Sequence, residues 1–158
     1  MADIDVIKEN VQFEQLLREN SSNAVLKDEY LIPDTHPDVQ EILTVEARPV
    51  ITSKDIIGDK IAIEGKVEYT VIYLAKEDGL TANSVNYAQN FASNIDLNQG
   101  ENRVICEAEC NVDHIDAHIM NERKISIQGV ITIEWELYKS NEFEFVKDIE
   151  GSDEVEAL

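Results

Sequence analysis

The chain has 158 residues, enough for one ordinary domain, and 43% of them are apolar, so a real core can form. Thirty-three Asp and Glu face 13 Lys and Arg, a formal net charge of -20, which excludes a binder of nucleic acid or anionic membranes because phosphate contacts need clustered Lys and Arg. Six Gly and three Pro exclude a collagen-like or Pro-rich low-complexity chain.

In chain order, Met1–Val6 carries Asp3 and Asp5 where a signal peptide carries basic residues. No segment approaches the ~18 apolar residues of a membrane span. Synthesis and retention in a cytoplasm are expected, with no membrane insertion. Ile4, Ile7, Val11 and Phe13 fit a loose helical stripe, whereas Val11, Phe13 and Leu16-Leu17 suit a strand, so residues 1–22 read either way or as an N-terminal arm. Asn20-Ser21-Ser22-Asn23 reads as a turn and Ala24–Ile32 as extended, giving strand–turn–strand.

Ile32-Pro33-Asp34-Thr35-His36-Pro37-Asp38-Val39 is the densest local signal. Its prolines push Ile32 and His36 out of the α region. Pro37 suits the first position of a short helix through Ile42-Leu43, with Asp38 near its positive end. A strand is expected over Val45–Lys54, then a turn at Ile57-Gly58-Asp59.

From Lys60 to Tyr73 the pattern is plain. Ile61, Ile63, Val67, Tyr69, Val71 and Tyr73 alternate with Glu64, Lys66, Glu68 and Thr70, which is period two over a long strand. Gly65 inside it predicts a bulge or bend. Lys60-Ile61-Ala62-Ile63-Glu64-Gly65 recurs as Lys124-Ile125-Ser126-Ile127-Gln128-Gly129, continued by Ile131, Ile133, Trp135 and Leu137. Each copy follows another strand-like segment, Val45–Lys54 and Arg103–Met120, so a duplicated antiparallel hairpin is expected. Turns fall at Glu77-Asp78-Gly79, Asn98–Asn102 and Met120–Arg123, with a weaker strand over Val85–Ile95.

About seven strands in a single domain over residues 1–147 predict a mainly β fold. The form expected is an antiparallel β-sandwich or strongly bent sheet with one short helix, and residues 148–158 read as a mobile acidic tail.

Chemistry is sparse. His114, Asp116 and His118 alternate on a strand, where imidazoles ~6.8 Å apart can share a metal, but the same trio makes an ordinary solvated edge. The apolar phase changes from Cys106, Ala108, Cys110 and Val112 to Ile115, Ala117 and Ile119, so the face swaps at a bulge near Asp113. That puts the cysteines on the buried side and the histidines on the wet side. Cys106 and Cys110, ~13 Å apart along a strand, cannot pair with each other. They read as small core residues, or as partners in an intermolecular disulfide at a subunit seam. Asp34 and Asp38 are the carboxylates best placed for acid–base work, yet they suit turn and helix-start bonding better, and a hydrolase would need a concave pocket around Asp34, Asp38 or Glu64. The chain has no G-x-S-x-G, no phosphate-binding Gly-rich loop and no C-x-x-C, so neither enzymatic activity nor a cofactor is expected.

Ile7–Val11, Glu14–Leu17 and Glu19–Ser22, followed by Pro33-Asp34-Thr35, Pro37-Asp38, Ile42-Leu43, Val50–Thr52 and Ile63–Val67, resemble the SPOCS domain family. Its members are spore coat and morphogenesis proteins of anaerobic spore-forming Firmicutes. The resemblance covers residues 7–75 and, more loosely, extends to about residue 140. It implies a non-enzymatic role in assembling the layers around an endospore, through contacts with other coat proteins or with copies of the chain itself. Larger members add a second SPOCS region and a LysM module, and nothing after Leu137 resembles a LysM. The resemblance therefore points to a coat component or self-assembling surface protein, and the open edge strand of a sandwich is where a second copy is expected to add. A separate expectation is an acidic cation-binding module using the Asp/His cluster.

Overall fold

The period-two segments resolve into six strands in the computed structural model, which describes residues 6–77, 79–101 and 103–149, with side chains between 13 and 140 except at 76. They are β1 (Val6–Leu31), β2 (Glu41–Ile57), β3 (Lys60–Lys76), β4 (Leu80–Asp96), β5 (Val104–Asn121) and β6 (Lys124–Ile149). Two three-stranded antiparallel sheets form, in the orders β1-β6-β5 and β2-β3-β4. β2 runs beside β5 and β1 beside β4, so the sheets face one another as a sandwich with strands adjacent along both seams.

Alternation dictates the layering. On β3, Ile61, Ile63, Val67, Tyr69, Val71 and Tyr73 are at most 1% exposed. From β6, Ile125, Ile127, Ile131, Ile133 and Leu137 are fully buried, with Trp135 close behind. These two strands are central in their sheets, and their inner faces make most of the core. Fully burying each such side chain contributes roughly 1.5–3 kcal/mol relative to leaving it in water.

The sequence repeat extends beyond the hairpin. Gly65 has Ile51 and Phe91 across from it, and Gly129 has Ile115 and Leu26. Ile32 N donates to Arg123 O, and Leu97 N donates to Asp59 O, both at 2.8 Å. The chain is thus two copies of strand, crossover and hairpin, β1-β2-β3 and β4-β5-β6. Each copy lays its first strand on the other copy's hairpin, β1 on β6 and β4 on β3.

The two equivalent glycines allow close backbone approach. A Cβ on Gly65 would strike the Phe91 ring and lie 2.5 Å from Val50 O. One on Gly129 would strike His114 O and lie 2.9 Å from Ile115 Cδ1. Only a bare backbone fits at either place.

Three local expectations are corrected. Among the described residues there is no helix, and Ile42 and Leu43 lie in β2, where Ile42 pairs with Tyr73. The donors a helix would have used go elsewhere, Val39 N to Glu122 O at 2.9 Å and Gln40 N to Leu74 O at 2.8 Å. Asn20–Asn23 makes no turn, because β1 stays paired with β6 through this segment. Its polar side chains are satisfied locally or across strands: Asn20 Oδ1 accepts from Ser21 N at 2.8 Å, Ser22 Oγ meets Ser93 Oγ at 3.1 Å and Asn23 Oδ1 accepts from Thr132 Oγ1 at 3.0 Å. One long strand therefore replaces two, and among the described residues six strands replace seven. The acidic tail lies outside the described residues, except that Asp148 and Ile149 end β6; Ile4 and the rest of residues 1–5 also lie outside.

Candidate functional site

Both connections that carry the chain from one sheet to the other are pinned by an arginine. At one end, Ile32–Gln40 folds inward as a plug, with Ile32 and Val39 buried. His36 N donates to Pro33 O at 2.9 Å, closing a turn. The Tyr73 hydroxyl donates to Pro37 O at 2.7 Å. Arg123, from the β5–β6 turn, reaches over the loop. Its Nη2 donates to Ile32 O at 3.0 Å and Pro33 O at 2.8 Å, and its Nη1 to His36 O at 2.7 Å and Asp38 Oδ1 at 3.1 Å. One guanidinium therefore ties the β1 side of the crossover to its β2 side. Asp38 binds this arginine instead of starting a helix. Asp34 and Thr35 sit at the exposed tip, where Thr35 Oγ1 meets His36 Nδ1 at 3.0 Å.

At the other end, Arg18 holds the second crossover. Its Nε and Nη2 donate to the two carboxylate oxygens of Glu101 at 3.1 and 2.8 Å, and Nη2 also donates to Asp96 O at 2.7 Å. Glu101 accepts Asn98 N at 2.6 Å, and Arg18 lies 5.5 Å from the centre of the Trp135 ring. The hydrogen bonds from Arg18 hold the Glu101 carboxyl below the usual carboxylate range, although burial opposes this.

The seam between β1 and β4 is aromatic. Tyr30 stacks on Tyr87 with centroids 4.6 Å apart, and Gln89 Oε1 accepts from Tyr30 OH at 3.3 Å and Tyr69 OH at 3.0 Å. Tyr87 OH donates to Leu31 O at 3.0 Å. Burial raises the Tyr69 hydroxyl well above its ordinary value, so it stays a donor at any physiological pH.

On β5 the register shifts between Val112 and His114, the bulge expected at Asp113. Cys106 and Cys110 are free, half-buried and packed against the core, opposite Leu137 and Ile133. Burial pushes both thiols up. His114 is exposed, and its Nε2 lies 2.6 Å from Asp116 Oδ2. His118 is also exposed, at a position of the same parity. Among the described residues no three His, Cys, Asp or Glu side chains are grouped to hold a metal ion. Glu64, on β3, is exposed and accepts from Ser53 Oγ at 3.5 Å.

The outer face of the β1-β6-β5 sheet has a pattern that spacing along one strand does not reveal. Glu136 stands across from both Glu19 and Glu107, and Glu134 across from Ser21 and Glu109. These rows line an open depression of ≈ 470 Å³. Beside them, Tyr138 stands across from the exposed Leu16 and Ile105. Tyr138 OH donates to Glu136, which raises its pKa to about 12.

One pair of strands outruns its sheet. β5 pairs with β6 only as far as Lys139, opposite Val104. Beyond it, β6 continues to Ile149 against β1 alone, with Gln15 across from Lys139 and Val6 across from Ile149. The first half has no counterpart, since β3 stops at Lys76 and turns back into β4. Over this ribbon, the side of β6 that β5 would occupy has no strand partner among the described residues.

Arg18, Arg123 and Glu101 have no motif to announce them. The available signal is scarcity: the chain has only four arginines among 33 acids, and two of them are committed to crossovers.

The architecture defines a β-sandwich domain built by duplication, with no helix among the described residues and thus none able to cross a membrane. The family described as SipL, SPOCS domain matches residues 38–120, just over half of the chain, and the chain belongs to that family. The match spans β2 to β5, and Pro33–Pro37 lie immediately before it. It is a structural, non-catalytic family, and membership suggests a sporulation-related role. No curated protein and no solved structure gives a match.

Proposed function

We propose that the chain is a non-enzymatic structural protein of the bacterial endospore envelope. It is made in the mother cell and built into the coat or spore surface by contacts with other copies and with other coat proteins. The observation that carries this reading, beside the family, is the β1–β6 ribbon, whose backbone edge along Ser140–Ile149 is open to strand addition. Nothing in the role requires a cofactor. The net charge of -20 and the facing glutamate rows oppose close approach of two copies, so added salt or divalent cation should promote assembly by screening.

The test is light scattering across a sodium chloride and a calcium titration, with negative-stain electron microscopy of each sample. Scattering should rise with cation, and ordered polymers should appear. Flat scattering with uniform small particles throughout would overturn self-assembly, and a pull-down from sporulating cells would then test the coat-partner half of the reading.

A further inference from the structure

The fold makes its two sheets by exchanging strands between its own halves. β4 reaches its hairpin partner β3 through the short turn at Glu77–Gly79 and cannot travel far. β1 differs: among the described residues it joins the rest of the chain only through the crossover Ile32–Gln40, yet its register with β6 runs from Leu31 across from Lys124 to Val6 across from Ile149.

We propose that β1 is exchanged between copies of this chain, β1 of one molecule lying on β6 of the next, with Ile32–Gln40 as the hinge. This rests on the self-assembly reading above and assigns contact between copies to β1, which leaves the open β6 edge to other coat proteins. Complementarity fixes the occupant. The groove between β6 and β4 fits β1 through Leu26 over Gly129, Tyr30 against Tyr87 and Gln89, and Arg18 on Glu101. A second copy's β1 carries the same residues and remakes every one of these contacts. Exchange therefore leaves the packing unchanged, which makes strand swapping a low-cost route to association. What changes is the hinge. Arg123 bonds Ile32 O and Pro33 O on one side of it and His36 O and Asp38 on the other, so the guanidinium holds the crossover folded back. Opening the hinge separates those two sets of acceptors. Pro33 and Pro37 restrict the loop and favour the extended form once it is released. Because each molecule both gives a β1 and receives one, exchange that does not close on itself builds a linear polymer.

The experiment uses the full chain with Cys106→Ala and Cys110→Ala. Ser21 and Glu134 are exposed and stand across from each other on β1 and β6, within disulfide reach. One chain carries only Ser21→Cys and a second only Glu134→Cys. After incubation together under the cation conditions that give most scattering, and then oxidation, a disulfide-linked mixed dimer is expected on a non-reducing gel. A third chain carrying both substitutions, oxidised at low concentration, is locked as a closed monomer and should no longer assemble. Adding Arg123→Ala to the two single-cysteine chains should speed mixed-dimer formation roughly tenfold, the effect of losing one or two net hydrogen bonds across the hinge. Absence of the mixed dimer overturns the proposal, as does a locked chain that assembles as readily as the unlocked one. The locked-chain result would leave self-assembly standing through another surface. If the unlocked chain never assembles, self-assembly itself fails, and the mixed-dimer assay still reports on exchange.

Discussion

Replacing Glu101 with Gln removes the charge that anchors the second crossover and keeps its shape. The Glu101 side chain is 11% exposed and that of Arg18 32%, so this pair is poorly screened by water. The carboxylate accepts three bonds, two from Arg18 and one from Asn98 N. An amide oxygen can replace some of them, but the charge-assisted part is lost and Arg18 stays partly buried without its counter-ion. A cost of about 1.5–3 kcal/mol follows, or roughly 3–10 °C in Tm for a chain of this size. The Arg48–Glu68 pair is the control. It lies at 2.5 Å with Arg48 78% exposed, so Glu68→Gln should leave urea unfolding unchanged within error. The pH dependence supplies a second reading. The Glu101 pKa is depressed by folding, so its contribution is complete above the unfolded value of about 4.3 and disappears as pH falls through the lower folded value. Urea midpoints of wild type and Glu101→Gln should differ at pH 7 and converge in acid. Equal stability at pH 7, or a difference that persists unchanged into acid, would refute this account of the anchor.

Ala at Gly65 or Gly129 should destabilise by about 1–3 kcal/mol, because the new methyl meets backbone oxygens of Val50 or His114 that cannot rotate away. A neutral or stabilising result in urea unfolding would mean that the strands separate freely at these points. Glu107→Gln should stabilise by about 0.2–1 kcal/mol at low ionic strength by relieving repulsion from Glu136 across from it, with the gain vanishing in high salt. A gain independent of salt would refute the electrostatic reading. Burial keeps the Cys106 and Cys110 thiols protonated, so disulfide-exchange labelling of the folded chain should be slow at pH 7 and accelerate at higher pH than for a free cysteine. Immediate labelling of both at pH 7 would contradict their placement.

Much of the architecture was legible because alternation is a strong signal. Every odd apolar position from Ile61 to Tyr73 turned inward, and the phase change after Val112 located a bulge to within a residue. The failures were local signals overridden from a distance. Asn20–Asn23 has the composition of a turn, but its backbone groups are claimed by a strand more than a hundred residues away. Pro37 suits a helix start, yet Val39 and Gln40 donate to residues in other parts of the chain. The crossover pins were not legible at all, since Arg18 and Glu101 meet across 83 positions and Arg123 and Asp38 across 85. No window along the sequence contains both partners. The repeated hairpin was visible, but the exchange of first strands between the halves was not, because β1 and β4 share no residue pattern comparable to the one that β3 and β6 share.

The separation of β1 from β6 also sets a clock. At about 5–20 residues per second, synthesis of the ninety-odd residues between Leu31 and Lys124 takes on the order of 5–20 seconds. Before that interval ends, β1 has left the ribosome while the strand that pairs with it does not yet exist. Tyr30 can meet Tyr87 once β4 is made, but the backbone edge of β1 has no strand of its own chain to pair with, whereas β2, β3 and β4 meet their neighbours within a few tens of residues. Where several ribosomes share one message, the first complete β6 nearby can belong to the chain ahead. In the exchange proposed above, order of synthesis as much as final stability would decide whose β1 each hairpin receives.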